Sequence, residues 1–216
     1  MMAETLIKAS DRANNILLPS IKWETYRAIA CDLETLPRMR LTYDNGLLEI
    51  RMPSDLHENY KKLLGRIVEA LTEALEIEIR SLGSMTCDRQ DLARGIEPDQ
   101  CYYIQNEALI WGREKIDLKI DPPPDLAIEI DITSSSINRF AIYAKLGIPE
   151  IWRYDGQVIT IYHLDHLVSD RYILGHCSIA FPLLSTSALQ NFLELKHTLK
   201  ENALIRLVRE WATSNM

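Results

Sequence analysis

Cysteine is scarce and never clustered. The four cysteines, Cys31, Cys87, Cys101 and Cys177, form no C-x-x-C pair, which argues against a structural zinc site. Scattered thiols of this kind behave as small hydrophobes in a reducing compartment, so a cytoplasmic location is expected. Long apolar runs are also missing. No stretch reaches the roughly 18 consecutive apolar residues of a membrane helix, and no membrane association is expected. The opening residues, MMAETLIKAS, lack a basic start followed by an apolar stretch, so no secretory signal is expected. Repeats and low-complexity segments are absent. Positive charge is in deficit: 24 Lys and Arg against 31 Asp and Glu leave a net charge of −7. That weighs against binding nucleic acid by overall charge, which works by neutralising phosphates. A local field can still run the other way.

What is present suits one globular domain. The chain has 216 residues, 47% of them hydrophobic, enough for a substantial core. A single domain over 1–216 is expected, with a core of about 20–165 and C-terminal helices over about 185–214. Helical spacing of Trp23, Tyr26, Ile29, Ala30 and Leu33 predicts a helix over 20–36 with Ser20 as its cap. Asn45-Gly46 is a strong two-residue hairpin signal and places a hairpin over 38–52. From residue 53, a stripe of Leu63, Leu64, Ile67, Val68, Leu71, Ala74 and Leu75 predicts the longest helix, capped by Ser54 or Asp55. Strands follow at 76–88 and 97–104, then an irregular or edge-strand stretch at 105–123. A strand at 125–132, a helix at 135–147, strands at 148–156, 157–164 and 171–177, and two final helices complete the pattern. This order describes an α/β (mixed α+β) protein, a mixed sheet with helices on its faces.

The strand PPPDLAIEIDITSSS, 122–136, carries the chemical question. Alternation puts Leu126, Ile128, Ile130 and Ile132 on one face, and Asp125, Glu129 and Asp131 on the other. At about 3.3 Å per residue, Glu129 and Asp131 stand roughly 7 Å apart and Asp125 roughly 13 Å from Glu129. The plain reading is a solvated face. The alternative is a cation among the acids, since hard divalent ions take carboxylate oxygens. Asp99 opens another strand, EPDQCYYI. Should that strand lie beside 125–132, Asp99 and Glu129 come within about 5 Å across the ladder. Alone, Asp99 reads as a turn residue after Pro98.

Four blocks in order, DNGLLEIRMPSDLHENYKKLLGRIVEAL, GIEPDQCYYI, PPDLAIEIDITSSS and RFAIYAKLGIPEIWRYDG, resemble the Uma-two restriction-endonuclease family of the PD-(D/E)XK nuclease superfamily. The resemblance covers roughly two thirds of the chain, from the first helix to about residue 165. It implies a restriction-endonuclease-like fold and a DNA endonuclease dependent on Mg²⁺ (or Mn²⁺). It implies metal ligands at Asp99 and Glu129, with the Ile130 carbonyl completing the site and His57 and Glu58 supporting it. Pro124-Asp125 is the decoy pair. The family's lysine is missing: Asp131 stands two residues after Glu129, and the alternative lysine position holds Arg139. Arginine can steady a phosphate or a developing charge but is a poor general base. Asp131 is then either a further metal ligand or a partner for Arg139.

Other features read more plainly. His163 and His166 are polar turn residues, TSSSIN is a loop and helix cap, Lys61 and Lys62 are solvated, and only one of Tyr102 and Tyr103 is core. Nuclease folds of this kind often dimerise, and Leu204, Leu207 and Trp211 offer a contact face for a homodimer. The rival readings are a catalytically weakened nuclease fold that binds nucleic acid or protein, and a structural interaction module.

Overall fold

A computed structural model describes residues 15–33, 39–132, 135, 137–165 and 171–216. Its elements are β1 (Asn15–Leu18), α1 (Trp23–Leu33), β2 (Arg40–Asp44), β3 (Leu47–Arg51), α2 (Asp55–Ala74), β4 (Arg80–Gly83), β5 (Cys87–Arg89), β6 (Arg94–Ile96), β7 (Gln100–Tyr103), α3 (Glu107–Ile110), β8 (Leu126–Ile130), α4 (Arg139–Leu146), β9 (Glu150–Tyr154), β10 (Ile159–Asp165), β11 (Arg171–Gly175), α5 (Thr186–Leu195) and α6 (Glu201–Ser214). The mixed α/β class is as the sequence implies. The strands, however, form two sheets. An antiparallel five-stranded sheet runs β1-β3-β2-β6-β5, and a mixed six-stranded sheet runs β11-β10-β9-β8-β7-β4. Among the described strands only β8 and β9 are parallel, and α4 lies in the crossover that parallel neighbours need.

Local chemistry explains the elements nearest the site. Asn45 (φ 48°) and Gly46 (φ 94°) both occupy the left-handed region, as the tight turn joining β2 to β3 requires. Ser54 caps α2 by accepting from the His57 N–H at 3.3 Å, and Asp55 and Glu58 in the first turn suit the positive helix end. Tyr60, Leu63, Leu64, Ile67, Val68 and Leu71 bury the inner stripe of α2 against Leu126, Ile128 and Ile130 of β8. Close approach depends on Gly65, where a Cβ would lie 2.8 Å from Gln100 Nε2 and 3.1 Å from the Tyr102 hydroxyl. This fit brings the first turn of α2 over the start of β7. The opposite side of β8, with Ala127, packs with Ile151 of β9 and with Ile142, Tyr143 and Leu146 of α4.

β8 is buried throughout, so a solvated carboxylate face on this strand is overturned. Tyr102 and Tyr103 are both fully buried, because both faces of β7 are covered. α1 begins at Trp23, and Ser20 at φ 61° lacks the extended backbone of an N-cap; the expected continuation over 34–36 lies outside the described residues. Asn138, whose side chain accepts from the Ala141 N–H at 3.2 Å, caps α4; Gly147 (φ 79°) ends it as expected. The 105–123 stretch holds the short α3 and, among the described residues, no strand. His163 lies within β10 opposite Ile173, not in a turn; His166 lies outside the described residues.

The face expected to dimerise is already covered. Leu204 and Val208 of α6 are buried, Leu207 and Trp211 pack on the same core, and Trp211 meets Phe192 edge-on at 5.3 Å. Periodicity revealed an apolar face, but this chain itself supplies the cover. Among the described residues, no helix is long and apolar enough to cross a membrane.

The decoy aspartate has a structural task. Asp125 accepts from the backbone N–H groups of Ile104 (2.7 Å) and Asn106 (2.9 Å) and from the Asn106 side chain (2.5 Å). Asp125→Ala would orphan two backbone donors, each costing about 1–3 kcal/mol when buried. A fall in unfolding stability of about 2–4 kcal/mol, read by urea denaturation, is expected.

Candidate active site

Strand register builds the centre. Gln100 pairs with Ile128, so Asp99, one residue earlier, meets Glu129 across the ladder. The Asp99 N–H bonds the Ile128 carbonyl at 3.1 Å, and its Oδ2 accepts from the Ile130 N–H at 2.7 Å. From the first turn of α2, His57 Nε2 reaches the same Oδ2 at 2.9 Å. His57 Nδ1 lies 3.6 Å from Glu58 Oε1, and Lys61 Nζ lies 3.6 Å from Glu58 Oε2. Lys61 also bonds Ser84 Oγ at 3.3 Å, and Ser84 bonds the Asp99 carbonyl at 3.1 Å.

Helix α4 holds the glutamate. Arg139 and Tyr143, one turn apart, share a face. Arg139 Nη2 donates to Glu129 Oε1 at 2.5 Å, and the Tyr143 hydroxyl donates to the same oxygen. The guanidinium also bonds Thr42 Oγ1 at 2.9 Å and the Glu97 carbonyl at 3.2 Å. Asp131 does not join the cluster. β8 ends at Ile130, and Asp131 turns to Arg153, 2.7 and 3.0 Å from its guanidinium nitrogens. It is neither grouped with Asp99 and Glu129 nor the partner of Arg139; that partner is Glu129.

Two arginines complete the cluster and were not singled out from sequence. Arg40 and Arg51 are cross-strand partners in the hairpin. Arg40 Nε and Arg51 Nη2 each lie 3.9 Å from Asp99 Oδ1, and Arg51 Nη2 lies 3.8 Å from Glu129 Oε2. Arg40 Nη2 is 4.0 Å from Glu58 Oε1. The signal was available: both arginines stand equally far from Asn45-Gly46, which makes them neighbours. Like charges directly opposed on a ladder repel, so their pairing already called for an acid between them.

The environment separates the two carboxyls. Burial pushes Asp99 upward, but the His57 bond and the charges of His57, Arg51 and Arg139 outweigh it and hold the carboxyl well below its ordinary range. Glu129 is shifted the other way: burial raises it, Asp99 adds to the rise, and Arg139 and Arg51 only partly compensate. Burial also pushes His57 downward, yet its bonds to Asp99 and Glu58 carry it above 6.5 overall, against opposition from Arg51. Arg139 is raised despite burial, chiefly by Glu129; it stays charged. Burial, then Arg40, lowers Lys61.

The histidine shift fixes a pH dependence. His57 faces Asp99 and Glu58, with Arg51 opposing. A folded pKa raised above the unfolded value adds stability that is complete below about 6.5 and is lost as pH rises through the folded pKa. In chelator, the urea midpoint is expected to fall as pH rises above 6.5, and His57→Gln is expected to flatten that part of the profile. An unchanged slope in the variant would refute the assignment.

The donor chemistry suits a hard divalent ion. Asp99 Oδ1 is buried and makes no hydrogen bond among the described residues, and Glu129 Oε2 lies beside the same Arg51 nitrogen. Among the described residues, no group of three or more His, Cys, Asp or Glu is gathered to hold a metal. Two carboxylates with water and substrate oxygens are nevertheless a usual set for Mg²⁺.

Acids paired across adjacent strands, backed by a helix-borne cation and a histidine, make this buried cluster the candidate site. Residues 23–206 match Uma2, described as "Putative restriction endonuclease", and the chain belongs to that family. The match extends past the blocks that carry the sequence resemblance and into α6. No curated protein matches the chain. A crystal structure of a putative nuclease belonging to DUF820 from Anabaena variabilis is similar, at 16% identity and a TM-score of 0.46, over 70% of this chain and 89% of that one.

Proposed function

We propose that the chain is a metal-dependent endonuclease that hydrolyses DNA phosphodiester bonds at Asp99 and Glu129. One observation carries this reading. Each carboxylate commits one oxygen to protein partners and turns the other toward the same point, the Nη2 of Arg51. Asp99 and Glu129 would hold Mg²⁺ or Mn²⁺, which would supply a water of lowered pKa and balance phosphate charge.

The protein's own groups do the positioning. His57 and the Ile130 N–H fix Asp99; Arg139 and Tyr143 fix Glu129. Arg139 is engaged through both terminal nitrogens with Glu129, Thr42 and the Glu97 carbonyl, so it acts as a positioning residue and takes no proton. Of the cluster's cations, Arg40 and Lys61, with side chains 11% and 14% exposed, are the most exposed. They supply the local positive charge that the acidic chain lacks overall, and would meet the substrate phosphate. The four cysteines are free, in keeping with a cytoplasmic enzyme.

A second reading has one specific support. The position two residues after Glu129 is Asp131, tied to Arg153, and no lysine enters the centre from β8. A weakened nuclease fold that binds nucleic acid without cutting would have this character. The test is plasmid and RNA cleavage by the purified chain with Mg²⁺ or Mn²⁺, with chelator and Asp99 and Glu129 variants alongside. Metal-dependent nicking of DNA, lost in the variants, supports the enzyme. DNA binding without turnover supports the second reading.

A further inference from the structure

Arg51 occupies an odd position. Its side chain is only 3% exposed. A buried guanidinium normally forms short, often bidentate bonds at about 2.7–2.9 Å. Arg51 instead holds Nη2 at 3.9 Å from Asp99 and 3.8 Å from Glu129, and neither its Nε nor its Nη2 makes a hydrogen bond among the described residues. It neutralises two carboxylates without being locked to either. Arg139 is the contrast: it is bonded to three partners and cannot leave without breaking them.

The oxygens facing Arg51 are also those that a divalent ion would use. We propose that Arg51 is the resident counter-cation of the Asp99–Glu129 pair, and that a divalent ion binds by displacing its guanidinium. The inference rests on the metal-dependent reading above and goes beyond it, because it makes residue 51 the setting of metal affinity. The charges point the same way. Two carboxylates facing Arg51 and Arg139 are already balanced, and Arg40 adds a further cation at Asp99. A divalent ion entering beside an unmoved Arg51 would meet net repulsion at about 4 Å in a buried setting. With Arg51 withdrawn, Glu129 Oε2 is freed and Asp99 Oδ1 keeps only Arg40 beside it. The side chain has no hydrogen bond at Nε or Nη2 to sacrifice in leaving.

The experiment is Mn²⁺ binding to the full chain, followed by calorimetry and by the paramagnetic resonance of free Mn²⁺. Wild type is compared with Arg51→Met and Arg51→Lys, and with each of these carrying Glu129→Gln. Arg51→Met is expected to bind Mn²⁺ at least about tenfold tighter than wild type. Arg51→Lys should fall between them, and Glu129→Gln should cancel both gains. Thermal unfolding provides a second readout. In chelator, Arg51→Met should melt below wild type, because two buried acids lose a counter-charge. Saturating Mn²⁺ should raise its melting temperature more than it raises wild type's. Should Arg51→Met fold only with Mn²⁺ present, that dependence is itself the expected result, and Arg51→Lys carries the affinity comparison. Equal or weaker binding by the Arg51 variants, with wild-type binding abolished by Asp99→Ala, would overturn displacement and leave the carboxylate metal site standing. No Mn²⁺ binding by any folded form at millimolar concentration would overturn both.

Discussion

Asp99→Ala and Glu129→Ala are each expected to lower DNA cleavage by at least about a thousandfold, the scale seen when a member of a catalytic set is removed. The two differ in what else they disturb. Asp99 also accepts from the Ile130 N–H and from His57, so alanine there leaves a buried donor unmet, at a cost of about 1–3 kcal/mol. Asp99→Asn and Glu129→Gln keep the shape and remove the charge. Glu129→Gln is the sharper test, because its amide oxygen can still accept from Arg139 and Tyr143. A folded Glu129→Gln protein with no nicking activity is the expected outcome. Wild-type cleavage by that variant would mean that the reaction happens elsewhere.

Arg139→Ala is expected to have the largest effect on stability, about 3–5 kcal/mol, because it strands a buried carboxylate. It also removes the donors to Thr42 and the Glu97 carbonyl. Arg139→Lys should recover part of the loss: it restores the charge but not a fork that reaches three partners. The loss should shrink in acid. Burial already raises the Glu129 carboxyl in the native chain, and Arg139 restrains that rise. Without Arg139, the native pKa climbs further above the unfolded value of about 4.3. In the window between those two values the folded chain holds the extra proton, so its stability rises as pH falls. Urea midpoints at pH 8 and pH 5, variant against wild type, measure the effect; a pH-independent difference would assign the loss to packing instead.

The centre was legible wherever one strand fixes another. Asp99 and Glu129 could be paired because Glu129 sits on a strand with a readable alternation and Asp99 directly precedes its neighbour, each near a proline boundary. The Asn45-Gly46 turn was equally plain, being local chemistry, and the cap of α2 was narrowed to Ser54 or Asp55. Asp131 was misplaced by parity: two residues on from Glu129 it shares a face only while the strand continues, and β8 stops at Ile130. Leu204, Leu207 and Trp211 were read correctly as an apolar face but given the wrong cover, because a helical period cannot say which surface meets it. The division into two sheets had no local signal. The pairing of Arg40 with Arg51 was readable from the turn, but that the pair faces Asp99 and Glu129 became visible only once one sheet lay against the other.

That layering gives the centre an unusual dependency. Arg40, Thr42 and Arg51 come from the five-stranded sheet, whereas Glu129 comes from the six-stranded one and Asp99 from the residue just before its β7. The proposed site residues thus double as a clasp between the two sheets. A clasp must loosen for cargo to enter, so tightening it for durability would hinder the work, and easing it for speed would weaken the seam. Selection on this chain acts on both properties through the same few side chains.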